Sequence, residues 1–111
     1  MTSLPLDIDN NPIPALRLKV TDGAHAIAAT ATSARNATAF NAGTRVVSIY
    51  ATGPVYLRFG DGSVVATASD HYYPTGVYYD FSIGGGKAGF TDHVAVLRVS
   101  TDCTVYISEK E

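Results

Sequence analysis

From Arg45 onward the chain alternates apolar and polar side chains in short runs, and Gly, Pro and Asp break the runs at near-regular intervals. A period of two is that of a strand, because successive side chains on a strand face opposite sides of the sheet. Val47, Ile49 and Ala51 therefore share one face, with Val46, Ser48 and Tyr50 on the other. After Thr52-Gly53-Pro54, the residues Val55, Leu57 and Phe59 alternate with Tyr56 and Arg58, and Gly60-Asp61-Gly62 ends that run. A short Val64-Val65 pair, a loop over residues 69–76 and a strand over 77–83 follow, the last stopped by Gly84-Gly85-Gly86. Residues 93–99 and 103–108 read as a hairpin around Ser100-Thr101-Asp102. Links this short require antiparallel neighbours, since parallel ones need crossovers of about a dozen residues. The predicted core is Val47, Ile49, Leu57, Phe59, Val96 and Ile107.

Upstream of Arg45 the pattern changes twice. Leu16, Leu18 and Val20 alternate with Arg17, Lys19 and Thr21 and predict a strand that ends in a tight turn at Asp22-Gly23. Residues 24–42 are rich in Ala and Thr; alanine propensity allows one short helix there, but the alternation of Ile27, Ala29 and Ala31 favours strands with small side chains. Residues 1–15 are different again. Pro5, Pro12 and Pro14 each fix φ and remove a donor, and Asp7, Asp9, Asn10 and Asn11 favour turns. Leu4, Leu6, Ile8 and Ile13 are nevertheless too apolar for a solvated tail. This arm either caps the domain's own core or lies across a neighbouring subunit. The expected organisation is an arm over residues 1–15 and a β-sandwich over 16–111. About eight short strands close most naturally into two packed sheets, so the fold class is all-β, a single antiparallel sandwich of jelly-roll type.

Composition narrows the function classes. With 111 residues there is room for one core, and 46% hydrophobic content made largely of Ala and Val makes that core thin. A net charge of −2 with 16% charged residues leaves no basic stripe for phosphates, which argues against nucleic acid as a partner. Cys103 is the single cysteine and falls on the inward face with Val105 and Ile107, so it is expected as a buried small apolar side chain rather than a reactive thiol. No run approaches the roughly 20 apolar residues of a membrane span, and the start of the sequence lacks a signal-peptide pattern. The expectation is a protein made and folded in a reducing cytoplasm, without membrane insertion.

Catalytic chemistry finds no support in the sequence. His25, His71 and His93 are far apart, none at metal-ligand spacing, and Asp61 reads as a turn former between Gly60 and Gly62. Nucleophile elbows, Walker loops and dinucleotide fingerprints are missing, and Gly84-Gly85-Gly86-Lys87 lacks the spacing of a phosphate cradle. No enzyme, cofactor or metal is expected. Asn36-Ala37-Thr38 matches a glycosylation acceptor by accident. More telling is the aromatic crowd Tyr72, Tyr73, Tyr78, Tyr79 and Phe81 around Pro74-Thr75-Gly76, with Tyr56 and Arg58 on the outward face of their strand. At least one of Tyr78 and Tyr79 must point away from the core. Such tyrosines serve a protein interface, a stacked sugar, or a wet sandwich rim. The candidate interface residues are Leu4, Leu6, Ile8, Ile13, Tyr56, Arg58, Tyr72, Tyr73, Tyr78 and Tyr79.

Several of these runs, taken in order, carry a resemblance. Residues 45–53, then Val55-Tyr56-Leu57-Arg58-Phe59-Gly60, then Pro74-Thr75-Gly76-Val77-Tyr78-Tyr79-Asp80-Phe81, then residues 94–98 and the ending Cys103-Thr104-Val105-Tyr106-Ile107-Ser108-Glu109 resemble small β-sandwich virion proteins of tailed bacteriophages and phage-like gene transfer agents. The resemblance covers roughly the last two thirds of the chain. It implies a capsid-exterior decoration protein or the base of a head spike or fibre, with head–tail and tail positions open. Its implied partners are capsid or other virion proteins and further copies of itself, in a virion assembled in the bacterial cytoplasm. The rival expectation is a carbohydrate-binding module using residues 72–81, with a surface glycan as ligand.

Overall fold

The computed structural model describes residues 8–11, 16–84 and 89–111. Eight strands form two four-stranded sheets: β1 (Ala24–Ala29), β2 (Ala34–Arg35), β3 (Val46–Ala51), β4 (Val55–Gly60), β5 (His71–Tyr73), β6 (Tyr78–Ser82), β7 (His93–Arg98) and β8 (Cys103–Lys110). One sheet has the order β1-β8-β3-β6 and the other β2-β7-β4-β5, all pairs antiparallel. The architecture is the expected all-β sandwich with jelly-roll order, and no helix occurs among the described residues.

Each inner face carries alternate residues. Ile27 and Ala29, Val105 and Ile107, and Val47, Ile49 and Ala51 from the first sheet meet Val55 and Leu57, Tyr73, and Val94 and Val96 from the second. Five of the six predicted core positions are buried; Phe59 is half-buried, packed against the cluster from the end of β4. Cys103 is likewise half-buried rather than buried. A second, smaller apolar cluster lies on the outer face of the second sheet, where Val64 and Ala66 fold over Ala95 and Leu97. The Val64-Val65 pair is thus a cover and not a strand.

Three sequence expectations are corrected. Residues 93–99 and 103–108 are not a hairpin, because β7 and β8 belong to different sheets. Only the β4–β5 link joins strands that pair with each other; every other link crosses between the sheets. Short connections suit a sandwich corner as well as a hairpin, so loop length cannot tell the two apart. The corner after β3 shows how tightly it is made: a Cβ on Gly53 would stand 2.9 Å from Cβ of Cys103. Second, β5 lies inside the segment read as loop, since a three-residue strand is too short to show alternation.

The third correction concerns the segment before β1. The backbone N–H of Arg17 donates to the Glu111 carbonyl (3.0 Å), that of Glu111 to Arg17 (2.8 Å), and that of Lys19 to Glu109 (2.8 Å). The Glu109 N–H donates in turn to the Gly23 carbonyl (2.7 Å), where β1 begins its pairing with β8. Residues 17–29 therefore follow one edge, interrupted by a bulged detour over residues 20–22. Asp22-Gly23 does not turn the chain back. Asp22 takes a positive φ of 57°, and Gly23 closes the detour so tightly that a Cβ there would lie 2.7 Å from Cβ of Lys19. Leu18 and Val20 are exposed as a result, the reverse of the predicted face. Of the arm, residues 8–11 are described and Ile8 is 97% exposed. Leu4, Leu6 and Ile13 lie outside the described residues.

Candidate functional site

Two groups of side chains stand out: the tyrosines of both outer faces, and a buried polar cluster at Glu109. The tyrosines follow from strand register. Tyr50 on β3 is opposite Tyr78 on β6 and also opposite Tyr106 on β8, so three phenol rings form a row across the first sheet's outer face. All three are exposed. Lys110 reaches over this row, its Nζ 5.6 Å from the Tyr78 ring centroid and 3.1 Å from Oδ1 of Asp80. Ser48 donates to the same Asp80 oxygen at 2.5 Å. The Ser48 hydroxyl first, and the Lys110 ammonium with it, hold the Asp80 carboxyl below the usual range, against a smaller contrary effect of burial.

The second sheet carries a counterpart. Tyr56 on β4 is opposite Tyr72 on β5 and Leu97 on β7. The two rings meet edge to face, with centroids 6.2 Å apart and planes at 71°. That pair offers no flat platform for a sugar ring. Arg58 is exposed on the same face, 3.8 Å from a carboxylate oxygen of Asp70.

The structure separates the remaining tyrosines. Tyr73 is 5% exposed; its hydroxyl stands 2.5 Å from the Ile49 carbonyl and 2.6 Å from the Val77 carbonyl, and burial raises its pKa. It belongs to the core and leaves the set of surface candidates. Tyr79 sits on the core side of β6 by parity, with its ring edge-on to Phe81 at 5.1 Å. Among the described residues β6 ends the sheet, and Tyr79 is 58% exposed. Sequence reasoning placed Tyr72, Tyr78 and Tyr79 at the surface but missed Tyr50 and Tyr106. Their outward parity could be read from the alternation, whereas the register that aligns them with Tyr78 could not.

The polar cluster was missed altogether. Glu109 is 1% exposed and its carboxylate meets three groups: Nε2 of His25 at 2.8 Å, Oγ1 of Thr44 at 2.6 Å and the backbone N–H of Asn41 at 2.8 Å. Phe40 packs edge-on against the His25 ring at 5.2 Å. Burial pushes the Glu109 carboxyl up, but the hydrogen bonds from Thr44, His25 and Asn41 together hold it below the usual carboxylate range. Asn36 is the other buried polar side chain of note: its amide donates to the Thr38 and Asp92 carbonyls and its oxygen accepts from the Val94 N–H. That role as an internal strut agrees with reading its glycosylation match as accidental. His93 pairs with Asp92 at 2.8 Å, His71 is exposed, and among the described residues no three metal-ligating side chains gather.

Comparison with known proteins adds one likeness. No protein-family model matches the chain, and none of the curated proteins does. A solved structure from Bacillus endospore appendages, described as a novel family of disulfide-linked pili, is 22% identical over 78% of this chain and 82% of that one, with a TM-score of 0.42. The expectation of a phage virion protein is corrected: the likeness found is to a structure from endospore pili, and no decoration, head-spike, head–tail or tail protein is among the matches. The individual motifs behind that expectation are those any small sandwich needs at its corners and strand ends, so their order mistook shared architecture for kinship. The virion location and the capsid partners fall with it.

Proposed function

We propose that this chain is a non-enzymatic structural subunit that assembles with further copies of itself. The observation that carries the reading is the outer edge of β6, which no other strand among the described residues pairs. The Ile83 N–H donates to the Arg45 carbonyl at 2.9 Å, which fixes the parity of the β3–β6 ladder. Tyr79 and Phe81 then spend their backbone groups on β3, and Tyr78, Asp80 and Ser82 turn theirs outward. Proteins ordinarily protect such edges with very short strands, bulges, prolines or free charges. Here β2 has two residues, β5 has three, and the β1 edge carries the detour at residues 20–22. By contrast β6 runs five residues without proline or bulge, its one charge tied to Ser48 and Lys110 and its tyrosines exposed. Strand addition by a second copy would satisfy those groups and cover Tyr78 and Tyr79. Leu4, Leu6, Ile8 and Ile13 of the arm supply a further apolar contact to the neighbour, with Tyr56, Arg58 and Tyr72 on the opposite sheet.

Analytical ultracentrifugation over a concentration series tests the reading, with electron microscopy for the form of the assembly. The expected result is concentration-dependent association that Ser82→Pro, which removes an outward N–H, abolishes while circular dichroism stays β-type. A wild-type protein that remains monomeric at every concentration overturns it.

A further inference from the structure

The Glu109 cluster is built with more care than a thin core requires, and it stands where three parts of the chain meet. Its side chain reaches β1 through His25 and the loop before β3 through Asn41 and Thr44. Its backbone holds both sides of the detour at residues 20–22, through the Lys19 N–H and the Gly23 carbonyl. We propose that Glu109 is an acid-operated clasp, whose ionised carboxylate holds residues 41–44 and the segment before β1 against the sandwich and whose protonation releases them.

The chemistry follows from donor count. An ionised carboxylate only accepts, and here it accepts from the Asn41 N–H, the Thr44 hydroxyl and His25 in its Nε2–H form. A proton on Oε2 faces Nε2 of His25 at 2.8 Å and one on Oε1 faces the Thr44 hydroxyl at 2.6 Å, so the imidazole must change its donor role or the hydroxyl must turn round, and the bond from the Asn41 N–H loses the negative charge that strengthens it. Weakened hydrogen bonds to buried polar groups are costly, so the loop moves to find water. Among the described residues, the other charged groups nearby are engaged elsewhere. On the surrounding elements Lys19 turns its ammonium onto the Thr21 carbonyl, Arg45 its guanidinium onto the Ala42 and Thr44 carbonyls, and Arg17 pairs with Glu111. Lys110 serves Asp80 on the opposite face. Among the described residues His25 is the titratable side chain joined directly to the carboxylate.

The direction with pH is determined. A carboxyl held below its ordinary value of 4.5 contributes stability that is fully present above pH 4.5 and is lost as pH falls through the lowered value. The clasp is therefore closed at neutral pH and opens only in acid.

Nuclear magnetic resonance on isotope-labelled protein, titrated from pH 7 to pH 3, tests this on the full chain. The Asn41 amide signal should move with a midpoint below 4.5, the Lys19 amide should lose hydrogen-exchange protection over the same interval, and both changes should vanish in Glu109→Gln. An Asn41 amide indifferent to acid, or a Glu109→Gln protein that titrates like wild type, overturns the proposal. Should that variant fail to fold, Thr44→Val removes one donor and must raise the Asn41 midpoint; an unchanged midpoint overturns the proposal equally.

Discussion

The hydroxyl of Tyr73 on β5 lies 2.5 Å from the Ile49 carbonyl on β3, so one phenol ties the edge of one sheet to the middle of the other. The same hydroxyl lies 2.6 Å from the Val77 carbonyl, in the corner that carries the chain across to β6. Tyr73→Phe keeps the ring against Phe81 and removes only the donor. It is expected to cost about 1–2 kcal/mol, as loss of a buried hydrogen bond does. Tyr73→Ala should cost about 3–5 kcal/mol, as loss of a large core aromatic does. Urea denaturation of both variants measures the two parts; a Tyr73→Phe protein as stable as wild type would mean that the hydroxyl contributes nothing.

Leu57 meets the inner face from β4, opposite His71 on one side and Val96 on the other. Leu57→Ala should destabilise by about 2–5 kcal/mol, with the larger value if the thin, Val-rich core cannot collapse into the space. Chemical denaturation with an unchanged m-value checks it.

Much of this fold is legible in the sequence because one face of each strand is buried, and a period of two survives in Val47-Ile49-Ala51 and Val55-Leu57 whatever the topology. Connectivity is not. The links at Gly53-Pro54 and at Thr101-Asp102 have the length and composition of hairpin turns, yet both switch sheets, and only packing between sheets decides that. Likewise Leu18 and Val20 have the alternation of a buried strand, but the detour at Asp22 places them outside. Of the candidate surface residues, Tyr72, Tyr78 and Tyr79 are exposed, while Tyr73 is core because its hydroxyl finds backbone carbonyls there. Glu109 continues the inward parity of Val105 and Ile107, but nothing in the sequence showed what would receive it. A carboxylate in a strand ordinarily faces water, and its partners come from residues 65, 68 and 84 positions away.

Gly53 and Cys103 share a corner with no room to spare. A Cβ on Gly53 would press Cβ of Cys103 at 2.9 Å and Sγ at 3.2 Å, so Gly53→Ala should destabilise by about 1–3 kcal/mol through overpacking. Burial raises the Cys103 thiol pKa, and the nearby Asp102 charge adds to it. At pH 8 an alkylating reagent should therefore modify native Cys103 more slowly than the unfolded chain, and Gly53→Ala should speed that reaction by loosening the corner. A native thiol as reactive as the unfolded one would contradict this account.

The arm is separable from the domain if the ladder itself defines where the domain begins. Pairing along β8 starts at Arg17, whose N–H and carbonyl both bond Glu111, and among the described residues the buried core of this part of the chain begins at Ile27. Removing residues 1–14 leaves that ladder intact and should shift the melting temperature by less than about 5 °C, the equivalent of roughly 1 kcal/mol in a domain of this size. Assembly should respond differently. Pro5, Pro12 and Pro14 restrict the free arm, so less entropy is lost when Leu4, Leu6 and Ile8 settle on another copy, and their removal should weaken association at least tenfold. Calorimetry and sedimentation on the same truncated protein separate the alternatives. Outright unfolding would place the arm in the domain's own core, and undiminished association would leave the β6 edge as the contact that joins the copies.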